Sequence, residues 1–184
     1  VSQVSTQTKV MPYAIVHLAG RAHIMNDTTS DPLAAFRAAN CDYAVKIAKQ
    51  ALAAGAKRFV YVSSIKVNGE QTDRAPFTEL SIPAPKDPYS LSKDEAELAL
   101  KELASSSGLE VVIVRPPLVY GKGVKANFAQ LARIAAKGLP LPLGGIHNSR
   151  SLLYVKNLVD FLILCTHHPK AANQTFLLRD EKDV

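Results

Sequence analysis

"KRFVYVSS", residues 57 to 64, is an apolar run opened by two basic residues and closed by two serines. A strand with one face in water alternates apolar and polar side chains, whereas an unbroken run of this length is the pattern of a strand covered on both faces. Two more runs read the same way: "YAIVHLAG", residues 13 to 20, and "LEVVIVRPP", residues 109 to 117. Helical segments separate them. Asp31 and Pro32 supply an N-cap and a favoured first helical position, and apolar residues recur at helical spacing from Leu33 to Leu52 until Gly55 stops them. Residues 88 to 107 form a second helix ended by Gly108. Strands alternating with helices require crossover connections and a parallel sheet, so the fold class is α/β with a doubly wound parallel sheet.

Later in the chain a helical pattern runs from about Lys125 to Lys137, and "GLPLPLGG" then turns the chain. "SLLYV" reads as a short strand leading into a helix over 156–167, and "QTFLLRD" as a last strand. Pro and Gly punctuation replaces the regular alternation after Pro117, which puts a domain boundary there, between 1–117 and 118–184. The opening "VSQVSTQTKV" fits a strand, a loop or a frayed end and stays unassigned.

With 184 residues and 47% hydrophobic content, the chain suits one sizeable core. It has no run of eighteen apolar residues and no signal-peptide pattern, so the cytosol is the expected location and no membrane partner is expected. The two cysteines, Cys41 and Cys165, lack metal-type spacing and read as buried thiols. The adjacent His167 and His168 have no ligand-spaced partner, and no metal is expected. A net charge of +6 is spread without a Lys/Arg block, which argues against nucleic acid and suits an anionic small molecule such as a nucleotide diphosphate.

In an open parallel sheet, ligands bind beyond the carboxyl ends of the strands. Those ends carry His17 to Gly20, Ser63 and Ser64, and Arg115 to Pro117. Directly after the loop that follows the second strand comes "PKDPYSLSKDEAELAL", residues 85 to 100, with Tyr89 and Lys93 one helical turn apart on one face. An ammonium close to a phenol favours the phenolate and can lower its pKa by roughly 1–3 pH units, making the tyrosine a usable proton acceptor. The alternative is an ordinary exposed pair on an amphipathic helix. Either Ser63 or Ser64 can face Tyr89 across the crevice.

Taken together, "YVSSIKVNGE", "PYSLSK" and "VIVRPPLVYG" resemble the extended short-chain dehydrogenase/reductase family, the NAD-dependent nucleotide-sugar epimerases and dehydratases, over roughly residues 13–178. The resemblance implies a Rossmann-like fold, with a partial NAD(P)-binding domain over 1–117. Residues 118–184 would begin the substrate-binding part, interleaved with the last Rossmann elements. It implies that Tyr89 is the catalytic base, that Lys93 lowers its pKa while binding the nicotinamide ribose, and that the catalytic hydroxyl is Ser64. It places His17, Leu18, Ala19 and Gly20 along the cofactor, with Asn40, Ser63 and Pro116 also against it. The family's Asn-Val-x-Gly-Thr run is here "NCDYA", and a buried helix residue is the other reading of Asn40. Asn127 at a helix start matches the asparagine presented to the sugar-nucleotide diphosphate, and Arg150 in "NSRSLLYV" the arginine that grips phosphate or ribose, a surface ion pair being the alternative for Arg150. Lys66 is either a sugar contact or a solvated loop lysine. The implied cofactor is NAD, with NADP left open, and the implied partner a UDP-sugar or related nucleotide sugar. A homodimer pairing helices 31–54 and 88–107 is expected.

The chain departs from the family most where the adenosine half of the cofactor would bind: two strand–helix units and the acidic residue that reads the adenosine ribose are missing before "YAIVHLAG". None of its nine glycines forms the Gly-x-x-Gly-x-x-Gly turn that receives the cofactor pyrophosphate. The expectation is therefore that the sequence is the middle and later part of a longer protein, rather than a protein that lacks the adenosine half of its site. As for the reaction, dehydratases of the family place an acid directly after the catalytic hydroxyl, and here Ile65 and Lys66 follow Ser64. Dehydration is disfavoured. A UDP-sugar 4-epimerase is favoured over a 4-ketosugar-nucleotide reductase of surface-polysaccharide synthesis, and a non-catalytic nucleotide-binding relative is the reading from another class.

Overall fold

The computed structural model describes residues 12–22, 29–72, 75–122 and 149–183. The predicted helix over 125–137 and the opening decapeptide lie outside them. Four strands, β1 (Ala14–His17), β2 (Arg58–Val62), β3 (Glu110–Arg115) and β6 (Thr175–Leu177), form one sheet in the order β1-β2-β3-β6. All three pairings are parallel, with Ala14 opposite Arg58, Arg58 opposite Glu110, and Ile113 opposite Thr175. Helices α1 (Pro32–Arg37) and α2 (Tyr43–Ala53) connect β1 to β2, and α3 (Pro88–Ser107) connects β2 to β3.

The apolar runs are unbroken because both faces are covered. Phe59, Tyr61, Val111 and Ile113 face Ala44, Ala48, Ala51, Ala96 and Leu100 on α2 and α3. Their alternates Val60, Val112 and Val114 face Leu158, Leu162 and Cys165 of α4 (Val155–His167). The two-residue period of the strands thus feeds two cores, one per face.

Local chemistry sets the helix ends. Asp31 accepts a hydrogen bond from the Ala34 backbone N–H at 3.0 Å and Pro32 follows it, starting α1. Asp87 and Ser90 form a reciprocal capping box at the start of α3: Asp87 Oδ1 accepts from Ser90 N at 2.6 Å and Ser90 Oγ accepts from Asp87 N at 3.1 Å. Gly108 ends α3 in the left-handed region at φ 73°.

Two features differ from the sequence reading. The helix expected as one piece over 31–54 is interrupted by a π-helical turn, Ala38–Asp42, between α1 and α2. The strand expected to run to Pro117 stops at Arg115, because consecutive prolines have no N–H to continue the ladder. Leu118–Tyr120 then forms β4, which pairs in parallel with β5 (Leu152–Tyr154) as a separate two-stranded sheet. Asp180 fastens this small sheet by accepting from Tyr154 N at 3.0 Å, Asn157 Nδ2 at 2.8 Å and Tyr120 Oη at 2.9 Å. After it, α4 and β6 return to the main sheet.

An added Cβ at Gly108 would meet no atom within 4 Å, so Gly108→Ala carries only the backbone cost of the left-handed conformation. We expect it to lower unfolding stability by about 1 kcal/mol, read as a lower urea midpoint at unchanged slope.

Candidate active site

The carboxyl ends of β1, β2 and β3 and the start of α3 meet at one edge of the sheet. The π-helical turn presents Asn40 there, fully buried. Such a turn inserts a residue into the helical ladder and re-aims its side chain, which is why π-turns recur at functional sites. Asn40 Oδ1 accepts from Arg21 N at 2.7 Å, and its Nδ2 donates to Arg21 O at 3.1 Å and to Ser92 Oγ at 2.9 Å. Its backbone carbonyl accepts from Tyr61 Oη at 3.1 Å. Asn40 therefore clamps the segment after β1 to α3. A Cβ at Gly20 would come within 2.9 Å of Asn40 Oδ1 and 3.3 Å of Lys93 Nζ, so it is the lack of a side chain that lets this backbone approach Asn40 and Lys93 so closely. Leu18, Ala19 and Gly20 are exposed along the same rim.

Tyr89 lies in the first turn of α3, edge-on to Phe36 at 6.2 Å. Burial pushes its phenol upward, the Ser64 hydroxyl bonded to it pulls the other way, and Asp87 and Lys66 act in opposite directions with Asp87 raising it. Ser64 caps the short helical turn Ile65–Val67, accepting from Lys66 N at 3.2 Å. Of the two serines, it is Ser64 that acts on the phenol.

Lys93 shares the helical face with Tyr89, as its spacing requires, but its ammonium is turned deeper. It donates to the Val62 carbonyl at 3.0 Å and lies over the Tyr61 ring, 4.6 Å from its centre. Burial holds it down at about 8, partly opposed by Glu97. The cation that opposes the rise at Tyr89 is thus Lys66. Lys66 Nζ donates to Asp87 Oδ2 at 2.6 Å and Glu70 Oε1 at 3.2 Å.

Ser63 is placed elsewhere. Its hydroxyl donates to Glu97 Oε1 at 2.5 Å, one turn beyond Lys93. Glu97 also receives Arg115 Nε at 2.9 Å and Arg115 Nη2 at 2.5 Å, while Arg115 Nη1 donates to Asn68 Oδ1 at 2.9 Å. All four residues are buried. The sequence reading did not single out Glu97 or Asn68, although a glutamate one turn past Lys93 and an arginine closing an apolar strand were visible signals. Pro116 is buried, and its carbonyl accepts from Ile65 N at 3.0 Å, holding the Ser64 turn against the end of β3. His17 stacks on Phe59 and Tyr61 at 5.6 and 5.9 Å, with its pKa lowered by burial first and then by Lys93. Its buried Nε2 has no hydrogen-bond partner among the described residues. Arg150 is exposed, and Asn127 lies outside the described residues.

A model of the NAD dependent epimerase/dehydratase family matches residues 3–178. The chain is 54% identical to a UDP-glucose 4-epimerase of Vibrio cholerae, over 92% of this chain and 52% of that protein. It is 30% identical to a GDP-6-deoxy-D-mannose reductase of Pseudomonas aeruginosa, over 88% of this chain and 56% of that protein. The solved structure of RMD from Pseudomonas aeruginosa with NADPH superposes with a TM-score of 0.78 at 28% identity, covering 95% of this chain and 63% of the other. The chain thus spans roughly half the length of these two curated relatives.

Two outcomes are expected from the buried charges. Glu97→Ala leaves Arg115 buried without its carboxylate and should destabilise the intact protein by about 3–5 kcal/mol in urea unfolding. Lys93 binds its proton less well folded than unfolded, so it makes stability rise with pH between about 8 and its ordinary 10.5. Lys93→Met should remove that rise, up to about 3 kcal/mol, in unfolding curves collected across the window.

Proposed function

This chain belongs to the NAD-dependent epimerase/dehydratase family, and we propose that the protein performs redox chemistry at C4 of a nucleoside-diphosphate sugar as a UDP-sugar 4-epimerase. The observation that carries this reading is the gathering of Ser64, Tyr89 and buried Lys93 where β2 ends and α3 begins, with the Ser64 hydroxyl favouring the Tyr89 phenolate. Similarity to the Vibrio cholerae UDP-glucose 4-epimerase supports the choice of reaction.

The residues present fit a nicotinamide cofactor. The rim Leu18–Gly20 is exposed and bare at Gly20, where a side chain would strike Asn40 and Lys93. His17 offers a buried Nε2, neutral near pH 7 because burial lowers its pKa. Lys93 and Tyr89 would hold the nicotinamide ribose, and Asn40 and Pro116 would line the same side. When bound, the nicotinamide ring supplies the hydride acceptor for C4 and the donor that reverses the transfer.

Tyr89 Oη takes the proton of the C4 hydroxyl, and the Ser64 hydroxyl donates a hydrogen bond to the same oxygen as charge develops there. Once the ketosugar has turned over in the site, Tyr89 returns the proton on completion of the opposite configuration. Asn127 is assigned to the diphosphate, and Arg150 to a phosphate or the ribose of the nucleotide. The position directly after Ser64, where a dehydratase of the family places its acid, holds Ile65.

A second reading, an NAD(P)H-dependent reductase acting on a 4-ketosugar nucleotide, uses the same three residues and is favoured by the similarity to GDP-6-deoxy-D-mannose reductase. Exposed Leu98 on α3 and Tyr43 on α2 support a homodimer through these helices. We also assign the protein to the cytoplasm; no helix among the described residues is long and apolar enough to cross a membrane.

With UDP-glucose or UDP-N-acetylglucosamine and no added cofactor, the intact protein should produce the C4 epimer, followed by proton NMR. Tyr89→Phe should lower turnover by roughly 100-fold or more with its thermal midpoint retained. Undiminished turnover in Tyr89→Phe would remove Tyr89 as the base, and consumption of NADPH only with a 4-keto-6-deoxy sugar nucleotide would establish the reductase instead.

A further inference from the structure

Lys66 stands in the turn that carries Ser64, and its ammonium reaches the helix start that carries Tyr89. The contact is short: 2.6 Å to Asp87 Oδ2, with Glu70 Oε1 at 3.2 Å on the other side. Asp87 is itself immobilised, because its Oδ1 accepts from Ser90 N at 2.6 Å in the capping box. The ammonium therefore ties a short turn at the end of β2 to the rigid N-terminus of α3, and the two ends of that tie lie two residues along the chain from Ser64 and from Tyr89.

The charges around the phenol explain what the tie does besides holding distance. From α3 itself, Asp87 faces Tyr89 as an anion whose carboxylate is held below its ordinary range by Lys66 and Ser90, against its burial. From the turn come Ser64 and Lys66. From β2 comes the buried Tyr61 hydroxyl, which donates to Asn40 O and stays protonated because burial drives its pKa far up. From α1 comes the apolar ring of Phe36, with Arg21 over that same ring at 5.3 Å. Lys93 is committed to the Val62 carbonyl. Asp87 alone would hinder formation of the phenolate; Lys66 offsets it.

We propose that Lys66 is a positioning residue for the proton transfer at Tyr89: clamped between Asp87 and Glu70, it sets the approach of Ser64 to Tyr89 and neutralises the helix-cap carboxylate beside the phenol. This rests on the reading of Tyr89 as the base. It also gives the lysine a use that needs no contact with the sugar, and one that survives replacement by arginine but not by a neutral side chain of similar length.

The test uses the intact protein in four forms: unaltered, Lys66→Met, Lys66→Arg, and Lys66→Met combined with Asp87→Asn. Two readouts are taken on each. One is the pH dependence of kcat/KM with UDP-glucose. The other is the ultraviolet titration of Tyr89 to tyrosinate, obtained as the difference between each form and the same form carrying Tyr89→Phe. Lys66→Met should move the acidic limb of kcat/KM and the Tyr89 titration to higher pH together, by roughly half to one pH unit. Lys66→Arg should leave both near their original positions. The double variant, which removes the anion as well as the cation, should bring the titration back towards the original, a result that a purely structural role for Lys66 does not produce. Unmoved midpoints in Lys66→Met, or no return in the double variant, would overturn the proposal. Should Tyr89→Phe retain full turnover, it is the reading of Tyr89 as the base that fails, and the absorbance titration still decides whether Lys66 controls the phenol.

Discussion

The buried pair of Glu97 and Arg115 is the interaction on which the site depends. Two opposite charges removed from water are costly unless every lone pair and proton is used, and here they are closely matched: Glu97 receives two guanidinium nitrogens and the Ser63 hydroxyl, and Arg115 passes its remaining nitrogen to Asn68. Such a pair contributes less to net stability than to uniqueness, because α3 cannot rotate or slide over β3 without stranding a charge. Tyr89, Lys93 and Glu97 follow one another at one-turn intervals along α3. Fixing Glu97 over the end of β3 therefore fixes Lys93 over Val62 and Tyr89 against Ser64.

From that anchor the electrostatics of the edge follow in layers. Deepest is the satisfied Glu97–Arg115 pair. Next comes Lys93, held by a carbonyl and a ring face and brought down to about 8 by burial. At the rim is Tyr89, whose burial opposes ionisation and whose neighbours Ser64 and Lys66 favour it. A phenol in that balance responds to small changes in the charges around it, which is what a group that both takes and returns a proton requires.

Much of this was legible in the chain. The runs at 13–20, 57–64 and 109–117 reveal strands covered on both faces, and Asp87-Pro88 with Gly108 brackets α3 at its observed ends. The Tyr89–Lys93 spacing and the serines ending β2 pointed to the end of the sheet where Ser64, Tyr89 and Lys93 lie. What escaped has physical causes. A π-turn has no side-chain period of its own, so the turn presenting Asn40 reads as ordinary helix. Strand β4 has three residues, too few to display alternation, and its partner β5 lies more than thirty positions away. The Lys66–Asp87 contact joins residues 21 apart across a loop, and no local pattern encodes such a pairing. Spacing could place Lys93 on the same face as Tyr89; it could not foretell that the Val62 carbonyl would hold the ammonium below the phenol.

In the proposed 4-epimerase a hydride leaves C4 of the sugar and returns to it within one site while Tyr89 handles the proton. The most direct measurement supplies the intact protein with UDP-glucose deuterated at C4 and reads the label at C4 of the product by NMR and mass spectrometry. A 4-epimerase of this kind should give the galacto epimer with deuterium retained at C4. Product formed with the label exchanged into solvent, or no C4 epimer from any UDP-sugar offered, would contradict it.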